Sequence, residues 1–142
     1  MLTVRQLLEM KKSEVFAVGA DAAVIDAIRL MADKGIGAVL VMQGQRLIGI
    51  VSERDYARKV VLKDRASSNT RVAEIMTADV VTVRLDDSVE HCMQLMTDRR
   101  FRHLPVTEGE SVKGVVSIGD LVKAVIEDQR RDIDQLQRYI AG

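Results

Sequence analysis

Two short strings hold the side chains best placed to do chemistry: Gly49-Ile50-Val51-Ser52-Glu53-Arg54-Asp55 and Gly114-Val115-Val116-Ser117-Ile118-Gly119-Asp120. In each, a glycine and two apolar residues read as the end of a strand, and the serine as the opening of a helix. A serine at such a junction sets its hydroxyl and the first free backbone N–H groups where a phosphate can sit, helped by the positive end of the helix dipole. An aspartate three residues on has turned to the same face. Its carboxylate can accept two hydroxyl protons, as from the vicinal diol of a ribose. A nucleoside phosphate offers both groups. The same spacing also makes a helix capping box, in which the serine oxygen accepts from the N3 amide and the acid reaches back to the serine N–H. One serine can serve in both ways.

The elements around these strings occur twice. Residues 15–61 align without a gap onto 80–126, at a constant offset of 65. Val15/Val80, Val18/Val83, Asp21/Asp86, Val24/Val89, Met31/Met96, Gly44/Gly109, Gly49/Gly114, Ser52/Ser117 and Asp55/Asp120 are among the identical pairs. Val15–Val18 and Val80–Val83 predict short strands, and Asp21 and Asp86 stand where the following helices would be capped. Val24, Ala27, Ile28 and Met31 fall at helical spacing, as do Val89, Cys92, Met93 and Met96, so each helix has one apolar stripe and Cys92 reads as packing. Two β-rich runs follow in each copy, Ala38–Met42 with Arg46–Val51, and Leu104–Thr107 with Ser111–Val116. Each pair is joined across a glycine turn. The predicted fold is α+β (mixed α/β), two repeats of β-α-β-β-α with a C-terminal helical extension. A repeat of about 50 residues buries little core alone, so the two are expected to pack about a pseudo-twofold axis. Residues 1–63 form the first repeat with a short leading helix, 64–70 a polar surface linker, and 71–142 the second repeat with its extension. The amphipathic pieces Val4, Leu7, Leu8 and Val72, Ile75, Met76 precede the repeats.

The doubled glycine-apolar-apolar-Ser-x-x-Asp string resembles the signature of CBS domains, whose pairs form a Bateman module. Met76–Val83 (MTADVVTV) is similar to the segment leading into a CBS repeat, and Arg102–Val106 (RHLPV) to the strand whose backbone faces adenosine. The resemblance covers nearly the whole chain. It implies a stand-alone regulatory module, not an enzyme, that binds AMP, ADP, ATP or NAD in the cleft between repeats and acts on a regulated protein by changing conformation. Carried over residue by residue, it implies one site of Ser52, Arg54 and Asp55 with Gly37, Ala38 and Thr77. A second would use Ser117, Gly119 and Asp120 with Arg102, His103 and Leu104. Ile118 and Gly119 replace Glu53 and Arg54 in the second string, so the two sites are expected to differ in affinity or ligand. The alternative is a structural dimerisation or scaffold protein whose Ser-x-x-Asp strings are helix caps and nothing more.

Composition narrows the other classes. Lys plus Arg and Asp plus Glu number 21 each, which leaves no net charge to draw the chain to nucleic acid or an anionic membrane. Aromatic residues make up 3%, too few for base stacking. Two histidines and one cysteine without zinc-type spacing argue against a metal site. Gly35-Ile36-Gly37 lacks the third glycine of a dinucleotide fingerprint, because position 40 is Leu, and it leads into a strand. No nucleophile–base pairing or phosphate loop is evident. The absence of a signal-like N-terminal segment, together with the single Cys92, predicts a reducing, cytoplasmic setting; no apolar run is long enough to cross a membrane. Beyond the repeat, Ile126, Ile133 and Ile140 lie seven apart with Gln129 and Leu136 between them. That stripe predicts packing against a second copy of the chain, hence a homodimer, the alternative being that it folds back on its own module.

Overall fold

The computed structural model describes residues 2–11 and 14–141. In chain order the elements are α1 (Val4–Met10), β1 (Ala17–Val18), α2 (Val24–Lys34), β2 (Ala38–Gln43), β3 (Arg46–Ser52), α3 (Glu53–Lys59), a 3-10 turn (Val61–Lys63), α4 (Val72–Ile75), β4 (Val83–Arg84), α5 (Val89–Arg99), β5 (His103–Glu108), β6 (Ser111–Ser117) and α6 (Ile118–Ala141). They form two three-stranded sheets, ordered β1-β2-β3 and β4-β5-β6. In each, a two-residue strand pairs in parallel with the strand that follows a helix, Ala17 opposite Leu40 and Val83 opposite Val106. This is the crossover that a parallel neighbour requires. The β2–β3 hairpin turns at Gly44, where φ is +60°, and Gly109 has the same φ between β5 and β6. Glycine at the first turn position reaches that region without a Cβ clash, and the turn's twist matches the strands.

The leading strands are shorter and later than the sequence predicts, Ala17–Val18 and Val83–Arg84. The helix caps also differ from expectation. Ser88 caps α5 by accepting from the His91 N–H at 3.0 Å, while the N-cap of α2 is Ala23, with no side-chain bond. Asp86 pairs instead with Arg5 at 3.1 Å, and Asp21 lies 4.0 Å from Arg71. Backbone takes over the acids' task. Val24 N–H donates to Thr70 O at 2.8 Å and Val89 N–H to Leu2 O at 2.9 Å, so the first amides of both helices are satisfied before an acidic side chain is needed.

The chain groups in space into two units. One contains Glu14–Val81 with Gly109–Lys113. The other gathers α1, Thr82–Glu108 and the chain from Gly114 onward. The short leading helices are therefore exchanged with respect to the linear repeats. Val72 and Ala73 donate to Ala22 O and Ala20 O, which places α4 beside α2 of the first repeat. Val4 and Arg5 donate to Asp87 O and Leu85 O, which places α1 beside α5 of the second. Thr3 bridges Ser88 as Arg71 bridges Ala23, so the leading segments correspond at 68 residues, three out of step with the repeat.

In the first unit the core comprises Val24, Ala27, Met31, Val39, Val41, Val51, Val60, Val72 and Ile75. In the other, Val4, Leu7, Val83, Val89, Cys92, Met96, Leu104, Val106, Val116, Leu121 and Ala124 are buried. Both cores are aliphatic. Burial, with the charge of Asp87 adding to it, pushes the Cys92 thiol up to about 11, as suits a side chain that packs. Residues 64–70 lie mostly at the surface but are tied down: Ile25 N–H donates to Ser67 O, the Tyr56 and Ser67 hydroxyls are 2.7 Å apart, and buried Thr70 bonds Ala66 O.

Candidate ligand-binding junctions

Both Ser-x-x-Asp strings lie where a strand turns into a helix. At the first, Ser52 ends β3 opposite Ala38, and the first helical amide, of Glu53, donates to Gly37 O at 3.0 Å. Thr77 exchanges both backbone hydrogen bonds with Ile50, two residues before the serine. Gly37, Ala38, Thr77, Ser52 and Asp55 are thus brought to one corner of the first unit, with Arg54 exposed on α3 beside them. At the second, Ser117 ends β6, and Ile118 N–H donates to Arg102 O at 2.9 Å. Arg102, His103 and Leu104 are thereby set against Ser117, Gly119 and Asp120. Leu104 is wholly buried. Gly119 is exposed, with nothing but the Ser117 hydroxyl near the place a Cβ would take.

The polar groups bond to one another. Ser52 N–H and its hydroxyl both donate to Asp55 Oδ2, at 2.9 and 3.1 Å, and Asp55 N–H donates back to Ser52 Oγ at 3.2 Å. Ser117 N–H donates to Asp120 Oδ2 at 2.9 Å and Asp120 N–H to Ser117 Oγ at 3.2 Å. Each string therefore forms a capping box, and each carboxylate also holds an ammonium. Lys59, one turn along α3, lies 3.2 Å from Asp55 Oδ1 and donates to Ile75 O. Lys11, at the C-cap of α1, bonds Asp120 Oδ2 at 2.5 Å and Val115 O at 2.8 Å. Burial works to raise the Asp120 carboxyl, but the bonds from Lys11 and from the Ser117 N–H prevail and hold it below the usual carboxylate range.

The lysines are the partners of the two carboxylates that the sequence alone does not reveal. The position equivalent to Lys59 is buried Ala124, and Lys11 lies outside the aligned repeat. Close packing under each junction is likewise new. A Cβ on Gly49 would lie 2.6 Å from Met76 Sδ and 3.2 Å from Thr77 O, and one on Gly114 would lie 2.9 Å from a Leu8 methyl. Among the described residues no cluster of His, Cys, Asp and Glu is suited to hold a metal ion, and no helix is long and apolar enough to cross a membrane.

The doubled strand-to-helix junction coincides with a family-level match: the sequence model of the CBS domain fits residues 4–62 and again 72–127. The chain belongs to the CBS-domain family. It is 42% identical over 127 residues to the Arabidopsis thaliana CBS domain-containing protein CBSX3, mitochondrial; the match covers 86% of this chain and 62% of the relative, so the chain spans less than two thirds of that protein. A CBS-domain protein structure from Burkholderia ambifaria MC40-6 superposes with a TM-score of 0.87 at 54% identity, covering 90% of this chain and 96% of that one. The CBS domain pair of MJ0100, solved with 5'-methylthioadenosine and S-adenosyl-L-methionine, shares the fold at 20% identity, with a TM-score of 0.80 over 90% and 98% of the two chains. The CBS repeats of this chain thus carry two copies of one junction, each closed by a different lysine.

Proposed function

We propose that this tandem CBS protein is a regulatory module that binds an adenine nucleotide, AMP, ADP, ATP or NAD, at its Ser-x-x-Asp junctions. The observation that carries the reading is the assembly, twice, of a serine hydroxyl, an aspartate carboxylate and the carbonyl-bearing start of a strand at the opening of a helix. The ligand set would be Gly37, Ala38, Ser52, Arg54, Asp55 and Thr77 at one junction, and Arg102, His103, Leu104, Ser117, Gly119 and Asp120 at the other. The adenosine compounds held by the MJ0100 pair support the ligand class. Binding shifts the population of conformations that a regulated partner reads, and asks for no bond to be made or broken. The half-exposed apolar residues Val122, Ile126, Ile133 and Leu136 along α6 support a homodimer as the working form. A reducing compartment, the cytoplasm first, suits the single buried thiol.

A thermal-shift panel tests the reading. A nucleotide at 100 times its Kd adds about 2.7 kcal/mol to stability. Asp55→Ala or Asp120→Ala should abolish the part of the shift that belongs to its own junction, and product formation on long incubation would reinstate an enzyme. One observation favours the second reading, a scaffold: both strings are satisfied as caps by their own side chains. Absence of any shift with all four nucleotides would decide for it.

A further inference from the structure

We propose that Lys11 is a latch. It holds the end of α1 on the second junction while that junction is empty, and an arriving nucleotide displaces it. The proposal rests on the nucleotide reading above and names the group through which occupancy is passed on.

Asp120 Oδ2 already accepts from two donors, the Ser117 N–H and the Lys11 ammonium. A carboxylate oxygen has about two lone-pair directions, so Oδ2 is filled. A ribose diol that engages both oxygens of Asp120 must therefore take over the share held by Lys11. The Lys11 side chain is one-third exposed, so on release its ammonium can turn to water without leaving a buried charge behind. Release has a mechanical consequence at this junction alone. Lys59 belongs to the same helix as Asp55, four residues on, so exchanging that bond unties no other element from Asp55, and the lysine keeps its bond to Ile75 O at the end of α4. Lys11 is 109 residues from Asp120 and belongs to a different element. It is the C-cap of α1, whose first turn is tied by the backbone bonds of Val4 and Arg5 to Asp87 and Leu85 and whose body is seated by buried Leu7. The end of the helix is held by Leu8 against Gly114 and by the Lys11 bonds to Asp120 and to Val115 O. Taking Asp120 from Lys11 leaves the first turn of the helix held as before and removes from its end one of the two ammonium bonds, the one to Val115 O remaining.

Calorimetric titration with AMP, ATP and NAD in turn, on wild type, Lys11→Met, Lys11→Arg and Asp120→Asn, together with amide hydrogen exchange of residues 2–11, tests the latch. Lys11→Met should tighten the site that Asp120→Asn removes by about tenfold, a change of about 1.4 kcal/mol. Nucleotide should speed exchange in residues 2–11 of wild type but not of Lys11→Met, where exchange is fast from the start. Lys11→Arg keeps the charge and should behave as wild type, which separates the latch from packing. Weaker binding by Lys11→Met would make the lysine a ligand contact, and binding that leaves exchange in residues 2–11 unchanged would remove the coupling. Either result overturns the latch and leaves the nucleotide reading standing. Binding of none of the three nucleotides by any of these proteins would instead overturn the nucleotide reading, and the latch with it.

Discussion

At the first junction the aspartate finds its counter-ion four residues further along its own helix. At the second it takes one from α1, across 109 residues of sequence. The turn itself is the same in both: serine at the end of a strand, capping box, first helical amide on the carbonyl that opens the neighbouring strand. Duplication thus preserves what backbone geometry dictates, and leaves the compensation of the buried charge to whichever cation the local fold brings near. A carboxylate this sheltered needs such compensation, since a half-buried charge without partners costs several kcal/mol. The two junctions are alike in shape and unlike in what is attached to them.

The comparison can be broken most strongly beneath the junctions. Gly49→Val should cost about 3 kcal/mol, because its Cβ meets the Thr77 carbonyl as well as Met76. Gly114→Val, which meets the end of a flexible Leu8, should cost about 1–2 kcal/mol. Urea unfolding of the two variants measures the difference, and equal losses would remove the asymmetry in packing. Next in size, Asp120→Ala should lose about 2 kcal/mol, for a capping acid and a charge-assisted bond to a lysine on another element. Asp55→Ala should lose about 1 kcal/mol, since its partner is a nearly half-exposed lysine of the same helix.

The pH dependence sharpens the same contrast. The folded Asp120 carboxyl lies below its ordinary value of 3.8, so the unfolded chain takes up the proton first. Its contribution is complete above that ordinary value and is lost as pH falls through the folded one. The gap in urea midpoint between wild type and Asp120→Asn should therefore narrow below about pH 4. Smaller again is the effect at the ends of α2 and α5. Gly35 and Arg100, equivalent in the repeat, both adopt left-handed backbone, with φ of +64° and +59°. Arg100→Gly should gain about 0.5–1 kcal/mol by relieving the Cβ clash, visible as a raised Tm. Smallest for the folded chain is Ile133→Asp on the long helix that α3 lacks. Stability should change by less than about 0.5 kcal/mol, whereas sedimentation should show loss of the dimer if a second copy covers that stripe.

Much of this was legible beforehand. The constant offset places both hairpins, both stripe-bearing helices and both serine-aspartate turns, because each depends on residues close together in the chain. Helical spacing also carries α6 through to Ala141. The exchange of leading helices was not legible. Val4 with Leu7 and Val72 with Ile75 show that each segment has one apolar face, but an apolar face does not say which repeat it will cover. The available signal is the three-residue slip between 65 and 68, which takes these segments out of the gapless alignment. The caps on α2 and α5 differ because the first helical amides meet carbonyls distant in the chain, Thr70 O of the linker and Leu2 O of the leading segment, and because Ser88 caps α5 in place of Asp86. Lys11 and Lys59 are two among 21 cations, and nothing short of the fold distinguishes them.

The exchange of leading segments also sets an order of assembly. Residues Glu14–Val81 make up nearly all of one unit in a single stretch, so most of its contacts become available as soon as that stretch has left the ribosome. The other unit needs α1, which precedes that stretch, and the α5–α6 region, which follows it. During synthesis at about 5–20 residues per second, the amphipathic α1 must wait several seconds without its partner. A seven-residue helix is too short to persist alone in water. α1 is accordingly expected to acquire its structure after the stretch that follows it, and the unit that carries Asp120 to mature after the other.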